Sequence, residues 1–247
     1  MLEINTIFDD LGPAKKPESK PAPKLSITDI KQAVRDENRA NIYIDNKFFC
    51  SLDISQVVDY HLKIGKVLTE EELRDIKRAS DFGKFYARAL EYVLSRPHSA
   101  KEIRDYLKKK TLSRKIRVKN RKTGEYQTKL KEGYDESLVS LVFDRLEDRG
   151  YVDDERFAGL WVENRNVSKG ISKKKLKLEL QQKGIASSII EQVLEDNSRD
   201  EREELRKVIA KKANRYQDKQ KFTQYLVRQG FNYSDVLEEL LDFFSSE

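Results

Sequence analysis

Cysteine occurs once in this 247-residue sequence, as Cys50, and histidine twice, as His61 and His98. One thiol excludes an internal disulfide framework and fits a reducing compartment, so a cytoplasmic location is expected. So few soft ligands exclude a His/Cys zinc site, and no cofactor is expected. Apolar residues are scarce too, at 38% against 37% charged, with a mean hydropathy of −0.77. Ordinary domains are about half apolar and a quarter charged, so thin helical layers are expected in place of one thick core. No run approaches the roughly 18 apolar residues of a membrane span. The first ten residues hold Glu3, Asp9 and Asp10, unlike a secretory leader. Neither Gly-x-x-x-x-Gly-Lys nor Gly-x-Gly-x-x-Gly occurs, so the glycine loops that cradle nucleotides are missing.

What is abundant is charge, and it is segregated. The net charge is +6, yet residues 108–131 alone hold eleven lysines and arginines against Glu125. That window nets +10, so the remainder nets −4. Two smaller basic clusters follow, Arg165 to Lys183 and Arg206 to Lys221, and the last turns are acidic. Segregated cations are the footprint of a polyanion binder. The competing explanation is the solvated face of a Lys/Glu-rich helix, which suits the two later clusters better than the almost unopposed window.

Four of the five prolines, Pro13, Pro17, Pro21 and Pro23, alternate with lysines in residues 1–24, which reads as a disordered or extended tail. Ile4, Ile7, Phe8 and Leu11 near its tip are open to a docking motif or to a loose end. Residues 25–80 read as a small β-hairpin and helix module. Three short strands are expected at 25–30, 41–44 and 48–52, with turn chemistry at Asp36-Glu37-Asn38. Two short helices follow, one from Ile54 to Leu62 and one opened by a Thr69/Glu72 capping box.

From Phe82 onward the apolar spacing is helical. Leu176, Leu180, Gly184, Ile185, Ile190 and Leu194 recur 46 residues later as Phe222, Leu226, Gly230, Phe231, Val236 and Leu240. An earlier copy runs from Ile103 and Leu107 to Val142 and Leu146, with about 25 extra residues inside it. Each copy follows another helical segment, at 82–95, 154–166 and 199–215. The fold class is therefore mainly α: three tandem three-helix repeats at 81–150, 151–197 and 198–247, forming an elongated curved array. The extra residues, about 112–134, coincide with the basic window. Arg117-Val118-Lys119 and Glu125 to Thr128 around Gly124 predict a cationic β-hairpin, which is marginal alone and gains order from a partner or from packing on the first repeat.

The ordered set Gly150-Tyr151-Val152-Asp153-Asp154-Glu155-Arg156-Phe157-Ala158, Val162, Arg165, Gly170, Leu176, Glu179-Leu180 and Lys183-Gly184-Ile185 resembles the core of RecX regulatory proteins. Ala89 to Ser99, with Glu102 and Leu107, is similar to their first repeat, and the likeness extends over about 25–244. It implies a tandem three-helix repeat protein without catalytic residues. It also implies a modulator that lodges in the RecA–DNA filament, blocks its growth and lowers ATPase, strand exchange and coprotease activity within the SOS response. The Pro/Lys tail and the basic insertion depart from the usual pattern.

No nucleophile or metal constellation competes strongly. His61 and His98 read as surface or packing residues. Asp153-Asp154-Glu155 reads as a helix cap more readily than as a nuclease metal site. Trp161 reads as core beside Phe157, whereas Tyr126 among cations is open to base stacking. The candidate DNA-binding residues are Arg114, Lys115, Arg117, Lys119, Arg121 and Lys122, then Arg165, Lys173, Lys174 and Lys177. The expected partners are the RecA filament and single- and double-stranded DNA, bound through phosphates by a monomer, with no membrane. The alternative is a general nucleic-acid-binding helical protein, a transcription or RNA factor, because helix pairs ending in glycine also build helix-turn-helix motifs.

Overall fold

The computed structural model describes residues 25–34, 36–120, 123–196, 199–216 and 218–245. The Pro/Lys tail of residues 1–24 lies outside them. The chain forms two compact units, the first ending at Gly83 and the second beginning at Lys84.

The first unit is built on a four-stranded antiparallel sheet in the order β3-β2-β1-β4. The strands are β1 (Leu25–Ala33), β2 (Asp36–Ile44), β3 (Lys47–Asp53) and β4 (Val67–Leu68). Asp45 and Asn46 join β2 to β3 with φ of 48° and 61°. Paired positive φ is what a two-residue primed hairpin turn demands, and Asp and Asn tolerate it best after glycine. One sheet face supplies Ile27, Ile42, Ile44, Cys50 and Leu52 to a core completed by Leu62, Leu68 and Ile76. Cys50 is thus a small apolar core residue. The helix α1 (Ile54–Asp59) starts at Asp53, in a capping box with Gln56.

Two local features differ from the sequence reading. Asp36 to Asn38 belong to β2, because the turn falls at Val34, before them. The helix opened by Thr69 does not stop near residue 80. It runs unbroken as α2 (Glu70–Ser95). Its capping box is formed as expected, with both Thr69–Glu72 bonds present at 2.9 and 3.2 Å. Gly83 lies inside the helix.

The second unit stacks three helical repeats. The first uses the end of α2, then α3 (Ala100–Thr111) and α4 (Leu138–Asp148). The second is α5 (Asp154–Asn164), α6 (Lys173–Gln182) and α7 (Ser187–Asp196). The third is α8 (Glu201–Lys212), α9 (Lys219–Arg228) and α10 (Tyr233–Ser245). The corresponding residues Leu107, Leu180 and Leu226, and their partners Val142, Ile190 and Val236, are all 0% exposed. The repeated pattern therefore marks the same two core positions in all three copies. The middle helices begin at corresponding caps, Ser99, Ser172 and Asp218, each accepting a backbone N–H of the first turn. Between α3 and α4 lies a two-stranded hairpin, β5 (Arg114–Lys119) and β6 (Tyr126–Lys131).

Candidate nucleic-acid interface

The hairpin register decides which cations share a face. Lys115, Arg117 and Lys119 lie opposite Leu130, Thr128 and Tyr126. Directly opposed residues point the same way, so these six form one face. Arg114, Ile116 and Val118, opposite Lys131, Lys129 and Gln127, form the other. On the first face the Arg117 guanidinium lies 4.4 Å from the Tyr126 ring centre and the Lys119 ammonium 6.0 Å from it. Tyr126 is 57% exposed, so one side of its ring remains available to a further planar group. Arg121 and Lys122 fall outside the described residues.

The hairpin base is a different environment. There a concavity of about 260 Å³ is lined by Arg88 of α2, Lys109 and Lys110 of α3, and Arg114 and Lys131 of the first strand pair. Burial, and then the charges of Arg114, Arg88, Lys131 and Lys109, hold the Lys110 ammonium below the usual lysine range. The Arg88 charge, with burial and Arg114, does the same to Lys131. Arg88 was not legible as a site residue, because 26 positions separate it from Arg114 and nothing in its own helix marks it.

The second candidate group, on α5 and α6, is divided. Arg165 is committed to Glu179 through two hydrogen bonds of 2.7 and 3.0 Å and lies 5.2 Å from the Trp161 ring. Lys177 pairs with Glu191 at 3.3 Å. Lys173 and Lys174 are exposed in the first turn of α6. The structure therefore brings the hairpin cations together and leaves the α6 lysines as a separate pair on the next repeat.

The remaining chemistry-bearing residues are engaged in structure. Asp153 caps α5 through the Arg156 N–H, Asp154 accepts the Ala100 N–H at 2.7 Å, and Glu155 accepts from Gln192. Trp161 packs near Phe157 and donates its indole N–H to Glu179. His98 is buried between Tyr92, 3.8 Å away, and Glu102. Burial first, then Arg96, lowers its pKa. Among the described residues no helix is long and apolar enough to cross a membrane.

Known proteins match this chain in the same order as its elements. Residues 25–69 match the family model described as the regulatory protein RecX N-terminal domain, and residues 153–194 match that of the second RecX three-helix domain. The chain is 30% identical over 222 residues to the regulatory protein RecX of Bacillus licheniformis, covering 87% of this chain and 76% of the relative. It is 29% identical over 231 residues to that of Clostridium acetobutylicum, covering 89% and 97%. A crystal structure of a regulatory protein RecX shares the fold with a TM-score of 0.63, covering 88% of this chain and 99% of the other at 23% identity. The sheet module, the repeats and this degree of identity over most of both chains place the protein in the RecX family of regulatory proteins.

Proposed function

We propose that this protein is a non-enzymatic regulator of the RecA recombinase. It binds the RecA–DNA filament and inhibits its growth, ATPase and strand exchange. The observation that carries the reading is the 30% identity to a regulatory protein RecX over 222 residues, which cover 87% of the chain. The exposed hairpin supports a DNA contribution, because Lys115, Arg117 and Lys119 project from one face beside Tyr126. Cations spaced along a strand neutralise phosphates and release counterions, so binding falls with salt and discriminates little between sequences.

The test is the cognate RecA ATPase on single-stranded DNA, titrated with this protein. Loss of ATPase well below one protein per RecA is expected. Deleting residues 114–131 then separates DNA anchoring from RecA contact. Undiminished ATPase at several-fold excess, together with tight DNA binding, would instead identify a general nucleic-acid binder.

A further inference from the structure

The concavity at the hairpin base has a composition that folding alone does not explain. Arg88, Lys109, Lys110, Arg114 and Lys131 converge on it, with Glu132 as the carboxylate in its lining. Among the described residues none of the five cations forms an ion pair. Lys110 does lie over the Tyr106 ring, 4.7 Å from its centre. Like charges held this close repel one another, more so away from bulk water. By contrast, Arg165, Arg206 and Lys183 of the second unit are answered by Glu179, Glu239 and Glu102.

The elements that carry the cations are fixed to one another by backbone and ring packing. The Tyr134 N–H donates to the Lys110 carbonyl at 3.1 Å, which ties the end of the hairpin to α3. The Tyr134 ring stacks on buried Phe85, with centres 4.3 Å apart and planes at 3°. The Tyr106 hydroxyl donates to the Arg88 carbonyl at 3.3 Å, linking α3 to α2. Between these joints the chain passes so close that a Cβ on Gly133 would lie 1.9 Å from the Thr111 carbonyl oxygen. Fixing the elements that carry the cations lowers the ordering cost of meeting an anion there.

We infer that this concavity is a binding site for a run of phosphate groups. Two guanidiniums supply forked donors that match phosphate oxygens, and three lysines supply point charge. Five cations against one carboxylate leave a formal +4, which exceeds what a single phosphodiester or a carboxylate neutralises. The run is either consecutive phosphates of a nucleic-acid strand or the polyphosphate of a free nucleotide. The inference goes beyond the recombinase reading, because the site requires no RecA.

The experiment uses the full chain, with inorganic tripolyphosphate, ATP and a dT20 oligonucleotide as probes in calorimetry at low salt. Arg88→Gln with Lys131→Gln is compared with Lys115→Gln and Lys119→Gln, which removes the same charge from the outer hairpin face. Tripolyphosphate affinity is expected to fall at least tenfold in the first variant and less than threefold in the second. An equal fall in both, or no tripolyphosphate binding to the unaltered chain at millimolar concentration, overturns the site. In unaltered protein, amine acylation of Lys110 and Lys131 should be suppressed by tripolyphosphate while that of Lys108 is not. Equal suppression of all three also overturns it. If the first variant also loses dT20, the ligand is the strand. If it loses ATP and keeps dT20, the ligand is a free nucleotide.

Discussion

The Ser172 hydroxyl donates to the main-chain carbonyl of Gln229 across 2.6 Å. The same side chain accepts the Lys175 N–H, so one oxygen both caps α6 and holds the end of α9 in the next repeat. The arrangement is copied one junction earlier, where Ser99 donates to Lys183 at 2.8 Å and accepts the Glu102 N–H. Even the flanking pairs correspond: Lys183 meets Glu102 at one junction, and Lys175 meets Gln229 at the other. Repeats in a stack are stabilised by their own cores and by such nearest-neighbour interfaces.

Ser172→Ala is therefore expected to cost more than a helix cap. Loss of the cap costs about 1 kcal/mol, and a carbonyl left without its donor at a buried junction adds about 1 kcal/mol or more. Ser172 is 1% exposed, so water does not replace the hydroxyl without rearrangement. A lowered urea midpoint equivalent to about 2 kcal/mol is expected. A cost below about 0.5 kcal/mol would contradict the junction role.

The glycines that end α6 and α9 are each constrained twice at these junctions. Gly184 and Gly230 have φ of 81° and 99°, where side-chain-bearing residues are strained. A Cβ on Gly184 would also lie 2.8 Å from the Lys101 Cβ, and on Gly230 it would lie 2.7 Å from the Ser172 hydroxyl. Gly150 has a similar φ of 72° with nothing within 4 Å. Alanine at Gly150 should cost about 1 kcal/mol, and at Gly184 or Gly230 about 2–3 kcal/mol. Gly230→Ala should be the worst, because it also displaces the Ser172 hydroxyl. Equal thermal shifts for all three variants would show that only φ matters.

The repeats were legible because a core position must recur wherever the same three-helix unit is packed, and the 46-residue offset aligned leucine with leucine. The junctions were not legible. A serine ahead of a helix suggests a cap and no more, and no periodicity reveals that the hydroxyls of Ser172 and Ser99 also reach 57 or 84 residues along the chain. Ser99 and Glu102 illustrate the limit. Ser99-x-x-Glu102 has the spacing of a reciprocal capping box, yet the Glu102 carboxylate faces Arg96, His98 and Lys183. Charge counting had the same weakness. It offered Arg165 as a candidate DNA contact, although Glu179, two helical turns beyond the loop, holds it. It also counted the 108–131 window without Arg88, which three-dimensional packing adds to it.

Acid should weaken the junction between the first two repeats. Burial pushes the Glu102 carboxyl up, but hydrogen bonds from Lys183 and Arg96 outweigh it and hold the pKa at about 2, below its ordinary 4.5. A depressed carboxyl stabilises the fold above its unfolded pKa and loses that contribution as pH falls toward the folded one. The loss falls between about pH 4.5 and 2, on the order of 3 kcal/mol at most. His98 acts in the same direction, because its lowered pKa means that protonation below about 6.5 favours the unfolded chain. The urea midpoint should fall from pH 7 to pH 3.5, and Glu102→Gln should flatten the lower part of that fall. An unchanged acid limb in Glu102→Gln would assign the effect to other carboxylates.

The hairpin and the α6 cluster should differ in how much they contribute to the salt dependence of DNA binding. Lys115, Arg117 and Lys119 have no carboxylate partner among the described residues, so each is available to displace a counterion from a phosphate. For a single strand each phosphate neutralised contributes about 0.7 to the slope of log affinity against log salt. Replacing all three with glutamine should lower that slope by about 2. Arg165 and Lys177 begin from a different state, because Glu179 and Glu191 already hold them. To bind phosphate, each must release a carboxylate, which then repels the same strand. Arg165 must also leave Glu179 with the Trp161 indole N–H, at 3.2 Å, as its remaining hydrogen-bond donor among the described residues. Arg165→Gln with Lys177→Gln should therefore change the slope by less than about 0.5. Fluorescence anisotropy with a labelled dT20 at four salt concentrations measures both. A larger effect from Arg165 and Lys177 than from the hairpin triple would mean that these ion pairs open on DNA and that the second repeat provides the main contact.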